Sequence, residues 1–129
     1  MSGRCLLDTN IVIALFGGDS RVREHFAAAE ELFTASIVIG ELYFGARKSR
    51  RRAENVAQVA DFVASSKVLS CDVQTARWYG EVKAGLRERG QPIPDNDIWI
   101  AAVVRQHDLT LITRDNHFGQ VQDLKTQAW

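Results

Sequence analysis

Four acidic side chains occupy positions where a carboxylate needs a chemical role or a partner. They are Asp8, Glu41, Asp97 and Asp115. Carboxylates that face one cleft repel each other, and each is pushed towards its protonated form. A divalent cation removes this conflict, and Mg²⁺ and Mn²⁺ prefer carboxylate oxygens and water as ligands. Such a centre can lower the pKa of a bound water, orient it for in-line attack on a phosphate and neutralise the leaving oxygen.

Two of these acids follow predicted strands. Asp8 comes directly after the first strand, and Asp115 comes two residues after the end of the fourth. Thr9 and Asn10 follow Asp8 and can hydrogen-bond the local backbone and hold its carboxylate. Ligands of α/β sheets bind beyond the carboxyl ends of the strands, which favours a shared site. The alternative for each acid is a helix cap or a turn residue.

The other two acids lie on apolar helices. Glu41 stands in an almost wholly apolar stretch, with no Lys or Arg within one helical turn. A carboxylate there is costly without a partner, so it is either a site residue or a buried Glu paired with a distant Arg. Asp97 begins an apolar stripe that continues with Ile100 and Ala101. Asp95 is predicted to be the N-cap of the same helix and is excluded from the site.

The histidines and cysteines do not form a recognisable metal motif. His25, His107 and His117 lack zinc-like spacing, so we predict that they are surface or core residues. Cys5 and Cys71 lie in short apolar runs without a CxxC pair. We predict that both are buried, reduced thiols.

Composition indicates an ordinary globular chain. The 129 residues are 46% hydrophobic and 25% charged, which predicts a single domain over residues 1–129. Sixteen basic and sixteen acidic residues give zero net charge, so any nucleic-acid binding depends on a local patch. No apolar run approaches the roughly 20 residues that span a bilayer, and no signal-peptide pattern precedes Asp8. We therefore expect a cytoplasmic protein without a membrane partner.

The order of predicted elements favours a three-layer α/β/α sandwich around a mainly parallel sheet of about five strands. The predicted strands are 5–7, 33–35, 68–71, 109–113 and a fifth near 121–124. The predicted helices are 10–16, 21–32, 36–47 with Ser36 as its N-cap, 53–64, a long helix from the cap Asp72 to Gly90, and 96–107. Val73, Ala76, Tyr79, Val82 and Leu86 are predicted to form the apolar face of the long helix.

The ordered set of motifs resembles PIN-domain proteins, specifically the VapC-type toxins of bacterial type II toxin–antitoxin systems. The matching pieces are residues 7–10, 36–42 with Gly45, 96–102, and 111–115 with Phe118. Each piece is short, but the four occur in order, at suitable spacing, over nearly the whole chain.

This resemblance implies a five-stranded parallel sheet with helices on both faces. It implies Mg²⁺- or Mn²⁺-dependent endoribonuclease activity on single-stranded or looped RNA, homodimerisation, and inhibition by a cognate antitoxin. The catalytic, metal-binding acids of the family correspond to Asp8, Glu41, Asp97 and Asp115. The positions that hold these acids or the attacking water correspond to Thr9, Asn10 and Thr113.

Three basic residues are predicted to contact RNA or the antitoxin. Arg47 and Lys48 begin a basic run after the Glu41 helix that could hold RNA phosphates, the alternative being a solvated connecting segment. Arg114 adjoins Asp115 and is placed to reach a phosphate or an antitoxin carboxylate.

Two other functions compete with a nuclease. A haloacid-dehalogenase-type phosphotransferase also begins with a strand and an Asp, but it needs a second Asp where Asn10 stands. A non-catalytic PIN-like module that binds RNA or a protein partner needs none of the four acids, so the presence of all four argues against it.

Overall fold

A five-stranded parallel sheet forms the centre of the computed structural model, which describes residues 3–129. The strands are β1 (Arg4–Leu7), β2 (Glu31–Ala35), β3 (Lys67–Leu69), β4 (Thr110–Ile112) and β5 (Thr126–Gln127). Their order in the sheet is β3-β2-β1-β4-β5, and every neighbouring pair is parallel. The predicted α/β class with a parallel, five-stranded sheet is confirmed.

Helices connect the strands. They are α1 (Thr9–Phe16), α2 (Ser20–Ala28), α3 (Ser36–Arg47), α4 (Arg52–Ala64), α5 (Val73–Glu88) and α6 (Asp95–Gln106), followed by a 3₁₀ helix (Asn116–Gln120). Within residues 3–129, none of these helices has both the length and the apolar character needed to cross a bilayer.

The core lies on both faces of the sheet. Cys5, Leu6 and Leu7 are buried one after another in the central strand β1, although successive side chains of a strand point to opposite faces. Helices must therefore cover both faces, as in other parallel sheets. In α6, five consecutive residues from Ile100 to Val104 are buried, so this helix is enclosed by its neighbours. A smaller cluster, which includes Val82, Leu86, Ile98 and Ala101, packs α5 against α6.

Two elements differ most from the prediction, because strand pairing overrides local pattern. Helix α2 ends at Ala28, and the predicted continuation to residue 32 is wrong because Glu31 and Leu32 pair with β1. The fifth strand is Thr126–Gln127, which pairs with β4, and not 121–124. Asp123 has a φ of 62°, which is a turn conformation incompatible with an extended strand.

The predicted helix caps were partly correct. Asp72 caps α5 and forms a capping box with Thr75, as expected. Ser36 and Asp95 are the first residues of their helices, and neither α3 nor α6 has a side-chain cap hydrogen bond. Both N-cap predictions were therefore one residue out of register.

Two exposure predictions were wrong. Val73 is 83% exposed and Ala76 is also exposed, because the buried face of α5 is defined by Thr75, Val82 and Leu86. Cys71 is exposed because β3 ends at Leu69, before the cysteine is reached. Cys5 is buried, and both cysteines are free thiols.

Candidate active site

The four predicted acids line a single cleft of about 550 Å³ at the carboxyl ends of β1 and β4. The fold brings them together from separate elements: the ends of the two strands, the middle of α3 and the first turn of α6. The cleft-lining residues are Asp8, Thr9, Asn10, Ile13, Glu41, Pro94, Asp95, Asn96, Asp97, Asp115 and His117. The rule that parallel sheets bind ligands beyond their carboxyl ends therefore locates these acids correctly.

Asp8 is the most deeply buried of the acids. It directly follows β1, is the N-cap of α1 and is 4% exposed. Asp8 is therefore both a helix cap and a residue of the cleft. Its carboxylate accepts hydrogen bonds from the backbone N–H of Thr9, at 2.8 Å, and from Thr113 Oγ1, at 2.7 Å. Burial raises the pKa of Asp8, the two hydrogen bonds oppose this, and the charges of Asp97 and Glu41 add to it.

Glu41 is held by neutral polar side chains. Its Oε1 accepts a hydrogen bond from Thr9 Oγ1 at 2.7 Å, and its Oε2 accepts one from Asn96 Nδ2 at 3.4 Å. The alternative, a buried Glu paired with a distant Arg, is not what the structure shows. The hydrogen bonds described for the Glu41 carboxylate therefore come from a hydroxyl and an amide, and not from a cationic side chain.

Asp97 and Asp115 meet through His117. Nε2 of His117 contacts Asp97 Oδ2, and Nδ1 lies 2.7 Å from Asp115 Oδ1. Burial raises the pKa of Asp97, the hydrogen bond and charge of His117 lower it, and the charges of Glu41 and Asp115 raise it further. The prediction that His117 is a surface or core residue was wrong, because the 3₁₀ helix turns its ring back into the cleft.

The three residues predicted to support the site contact the acids or their loop. Thr9 bonds Glu41, as described above. Thr113 Oγ1 donates to Asp8 and accepts from the backbone N–H of Asp115 at 3.0 Å, so one hydroxyl links two acids. Asn10 Oδ1 accepts from the backbone N–H of Arg114 at 3.4 Å.

Asn96 was not predicted as a site residue, although its side chain contacts Glu41. The sequence shows that Asn96 stands between Asp95 and Asp97. It does not show that α6 lies beside α3, which is what brings Asn96 to Glu41. Nothing in the local pattern signals a contact between residues 55 positions apart.

The basic residues lie outside the acid cluster. The guanidinium of Arg114 donates to Trp129 O at 3.0 Å and to Asp19 Oδ2 at 2.9 Å, and the hydrogen bond from Arg114 lowers the pKa of Asp19. Arg114 therefore ties the loop before Asp115 to α2 and to the end of the described chain. Lys48 lines a groove of about 750 Å³ that shares Thr9 and Glu41 with the cleft.

Arg47 ends α3 and is exposed. Its carbonyl oxygen accepts a hydrogen bond from Arg52 Nε at 2.8 Å, which fixes the start of the basic run. Within this run, Lys48 is the residue that lines the groove, and none of the run lines the acid-lined cleft among the described residues.

The donor set of the cleft fits a divalent cation. Oxygen or nitrogen ligand atoms of Asp97, Asp115 and His117 all lie within 4.8 Å of one another, and Asp8 and Glu41 line the same cleft.

Among the described residues, this cleft is lined by five carboxylates and by no Lys or Arg. The fifth carboxylate belongs to Asp95, which the sequence analysis excluded from the site, and it accepts hydrogen bonds from Tyr79 and Lys83. A hard cation with oxygen ligands would balance the charge of the other four.

Comparison with known proteins identifies the family of the chain. The sequence model of the PIN domain matches residues 5–124. The chain belongs to the PIN-domain family.

Relatives and solved structures define the branch of the family. "Ribonuclease VapC2" of Haemophilus influenzae is 35% identical over 130 aligned positions, covering 96% of each chain. "tRNA(fMet)-specific endonuclease VapC" of Shigella flexneri is 32% identical over 127 positions, again covering 96% of each. A chain in the crystal structure of DNA-bound VapBC from Salmonella typhimurium superposes with a TM-score of 0.92 at 28% identity, covering 98% of each chain. Within the PIN domains, the chain is a VapC-type ribonuclease of the toxin–antitoxin class.

Proposed function

We propose that the four acids form a Mg²⁺- or Mn²⁺-dependent centre with which the chain cleaves RNA as the toxin of a toxin–antitoxin pair. The observation that carries this proposal is a cleft lined by five carboxylates, those of the four predicted acids and of Asp95, and by no Lys or Arg among the described residues. The names of the VapC relatives support the ribonuclease activity, while the choice of ion follows from the oxygen-rich donor set.

Asp8 and Asp97 are the acids that we assign most directly to the cation. Both are removed from water far enough for burial to raise their pKa, so a cation is the partner that keeps them ionised. When bound, the ion lowers the pKa of a water and neutralises charge on the leaving oxygen. Thr113 and the Thr9 backbone fix the Asp8 carboxylate before any ion arrives.

Glu41 and Asp115 complete the site from its two sides. Thr9 fixes Oε1 of Glu41, and the longer contact with Asn96 leaves Oε2 more available to a cation or a water. Asp115 lies next to Asp97 through His117, within reach of the same cation-binding region. In this assignment all four acids bind the ion or orient the water that attacks the phosphodiester.

The RNA is expected to reach the cleft from the side of the α3 groove. Lys48 lines that groove beside Glu41, and Arg47 and the rest of the basic run lie at the end of the same helix. A local cationic patch is required because the chain has no net positive charge. Arg114 is the weaker candidate for RNA or antitoxin contact, because Asp19 and the Trp129 carbonyl already occupy its guanidinium.

A protein antitoxin is the proposed regulator. Solved neighbours include VapBC complexes, among them VapBC2 from Rickettsia felis, with a TM-score of 0.89 at 25% identity and coverage of 97% of this chain and 98% of that one. A groove of about 390 Å³ between α1, α3 and α4 reaches Glu41 and is lined by Ile13, Leu42 and Val59. Exposed Ile13 at its edge is an apolar contact point for such a partner. Homodimerisation is part of the same proposal.

The test is cleavage of RNA by the purified chain. We expect cleavage of total bacterial RNA in Mg²⁺ or Mn²⁺ and none in EDTA, with sequencing of the new RNA ends to identify the target. Binding of RNA without cleavage in either metal would instead support the non-catalytic interaction module. Size-exclusion chromatography with light scattering measures whether the active species is a dimer.

A further inference from the structure

The imidazole of His117 lies between two of the four acids. Nε2 contacts Asp97 Oδ2, and Nδ1 is 2.7 Å from Asp115 Oδ1, so both ring nitrogens face carboxylate oxygens. Asp97 belongs to α6, whereas Asp115 belongs to the loop after β4. One side chain therefore joins two elements of the site that are separate in the chain.

The turn that carries His117 is held in place by its neighbours. His117 lies in the 3₁₀ helix (Asn116–Gln120), and its backbone N–H donates to Asp115 Oδ1 at 3.4 Å. The next residue, Phe118, is 1% exposed in the core, and its ring centroid is 5.1 Å from that of His117. Phe118 therefore anchors the backbone of this turn in the core, and this places the His117 imidazole beside the cleft.

Asp115 depends on this ring more than Asp97 does. The side chain of Asp115 is 38% exposed, compared with 15% for Asp97. The contacts described for the Asp115 carboxylate are the His117 backbone and the His117 imidazole. Without the ring, Asp115 would be tied only to the backbone of its own turn and would be free to rotate into water.

We propose that His117 is a positioning residue of the nuclease centre, which holds Asp115 against Asp97 so that the two acids bind one cation together. The proposal rests on the proposed function of the four acids. Residues that hydrogen-bond metal ligands orient those ligands, and their loss commonly weakens metal binding or activity by about 10- to 100-fold. Although a His117 nitrogen lies within the same group of possible ligand atoms, both ring nitrogens face carboxylate oxygens, so in this proposal His117 acts through the carboxylates and does not itself bind the ion.

The direct test is Mn²⁺ affinity, measured by electron paramagnetic resonance titration of the whole chain. We expect His117→Ala to weaken Mn²⁺ binding by about 10- to 100-fold, with an unchanged circular dichroism spectrum. His117→Gln keeps one N–H donor and should recover part of the loss. The matched control is His107→Ala, which removes an imidazole at the opposite end of α6 and should bind Mn²⁺ like the wild type.

A second arm asks whether His117 acts through Asp115. Asp115→Asn alone should weaken Mn²⁺ binding, and adding His117→Ala to it should cost less than in the wild-type background. Full additivity of the two changes would overturn the positioning role. So would a His117→Ala variant with wild-type Mn²⁺ affinity.

Pulsed electron paramagnetic resonance separates a positioning residue from a ligand. We expect no directly coordinated nitrogen signal in the Mn²⁺-loaded wild type, and such a signal that disappears in His117→Ala would overturn the proposal. If Asp97→Asn loses Mn²⁺ and His117→Ala does not, the positioning role fails while the proposed function stands. If the wild type binds no Mn²⁺, both are overturned.

Discussion

The two halves of the acid cluster are held in different ways. Asp8 and Glu41 each accept a hydrogen bond of 2.7 Å from a threonine hydroxyl, supplied by Thr113 and Thr9. Asp97 and Asp115 share one histidine, and Asp115 is considerably more exposed than Asp8. We refer to these as the threonine-held pair and the histidine-held pair.

The difference shows which half of the site is preformed. Of the threonines that hold the first pair, Thr9 begins α1 shortly after β1, and Thr113 directly follows β4. These two strands are neighbours near the centre of the sheet. The histidine that holds the second pair lies in a short 3₁₀ helix after the sheet. The threonine-held pair is therefore held by residues beside the central strands of the sheet, and the histidine-held pair depends on a single side chain.

Removing an acid from the histidine-held pair should have the largest effect. We expect Asp97→Asn to reduce RNA cleavage to the level without enzyme, because the cleft loses a charged ligand while the side chain keeps its size. The measurement is cleavage of labelled RNA in Mn²⁺. Asp108→Asn is the control, since Asp108 pairs with Lys125 beyond the far end of α6 and should leave cleavage unchanged. Retained activity in Asp97→Asn would remove this acid from the mechanism.

Removing the hydroxyl from the threonine-held pair should affect both activity and stability. Thr113→Val leaves an oxygen of buried Asp8 without its partner, which should cost about 1–3 kcal/mol of stability and about 10- to 100-fold in cleavage. Thr9→Val should cost less stability, because Glu41 is partly exposed and water can replace the lost bond. Urea unfolding and cleavage rates measure both effects. An equal loss of stability in the two variants would contradict the difference in burial.

The burial of Asp8 predicts a pH-dependent stability in EDTA. Because burial raises the pKa of Asp8 in the folded state, the native protein takes up this proton at a higher pH than the unfolded chain. The free-energy cost of keeping Asp8 ionised in the folded state is therefore present at neutral pH. It is relieved as the pH falls towards the ordinary Asp range, near pH 4. Asp8→Asn should be more stable than the wild type at pH 7, and the difference should shrink at pH 4 to 5.

Thermal unfolding in EDTA measures this difference, and Asn remains a good helix N-cap, so α1 is preserved. Mn²⁺ should then stabilise the wild type and have little effect on the variant. If the wild type is instead more stable than Asp8→Asn at pH 7 without metal, burial is not the main effect of the Asp8 environment on folding stability.

The smallest effect is expected outside both pairs. Lys48→Gln should weaken binding of a fluorescein-labelled single-stranded RNA and reduce the salt dependence of binding by about one charge. The measurement is fluorescence anisotropy in an Asp97→Asn background, which prevents cleavage. Lys67→Gln is the control, because Lys67 pairs with Glu31 at the beginning of β3, away from the acid-lined end of the sheet. Equal losses in the two variants would indicate a general charge effect and no RNA path beside α3.

The sequence was sufficient to find the acids and most of the elements. Asp8 and Glu41 could be identified because an acid at a strand end or within an apolar stretch is costly without a function or partner. The α6 prediction succeeded because its apolar run is long and continuous. The fifth strand was misplaced because two residues, Thr126 and Gln127, carry little pattern, and only their pairing with β4 defines them.

What the sequence by itself determined is the class of chemistry: four carboxylates in an order and spacing that resemble a PIN domain. What only the tertiary structure decided is how these acids are held. Thr113 and Asp8 are 105 positions apart and Asn96 and Glu41 are 55 apart, and His117 reaches Asp97 from a turn that shows no helical or strand periodicity. Local patterns record burial and secondary structure, whereas such contacts depend on strand order and on the direction in which a short turn points a side chain.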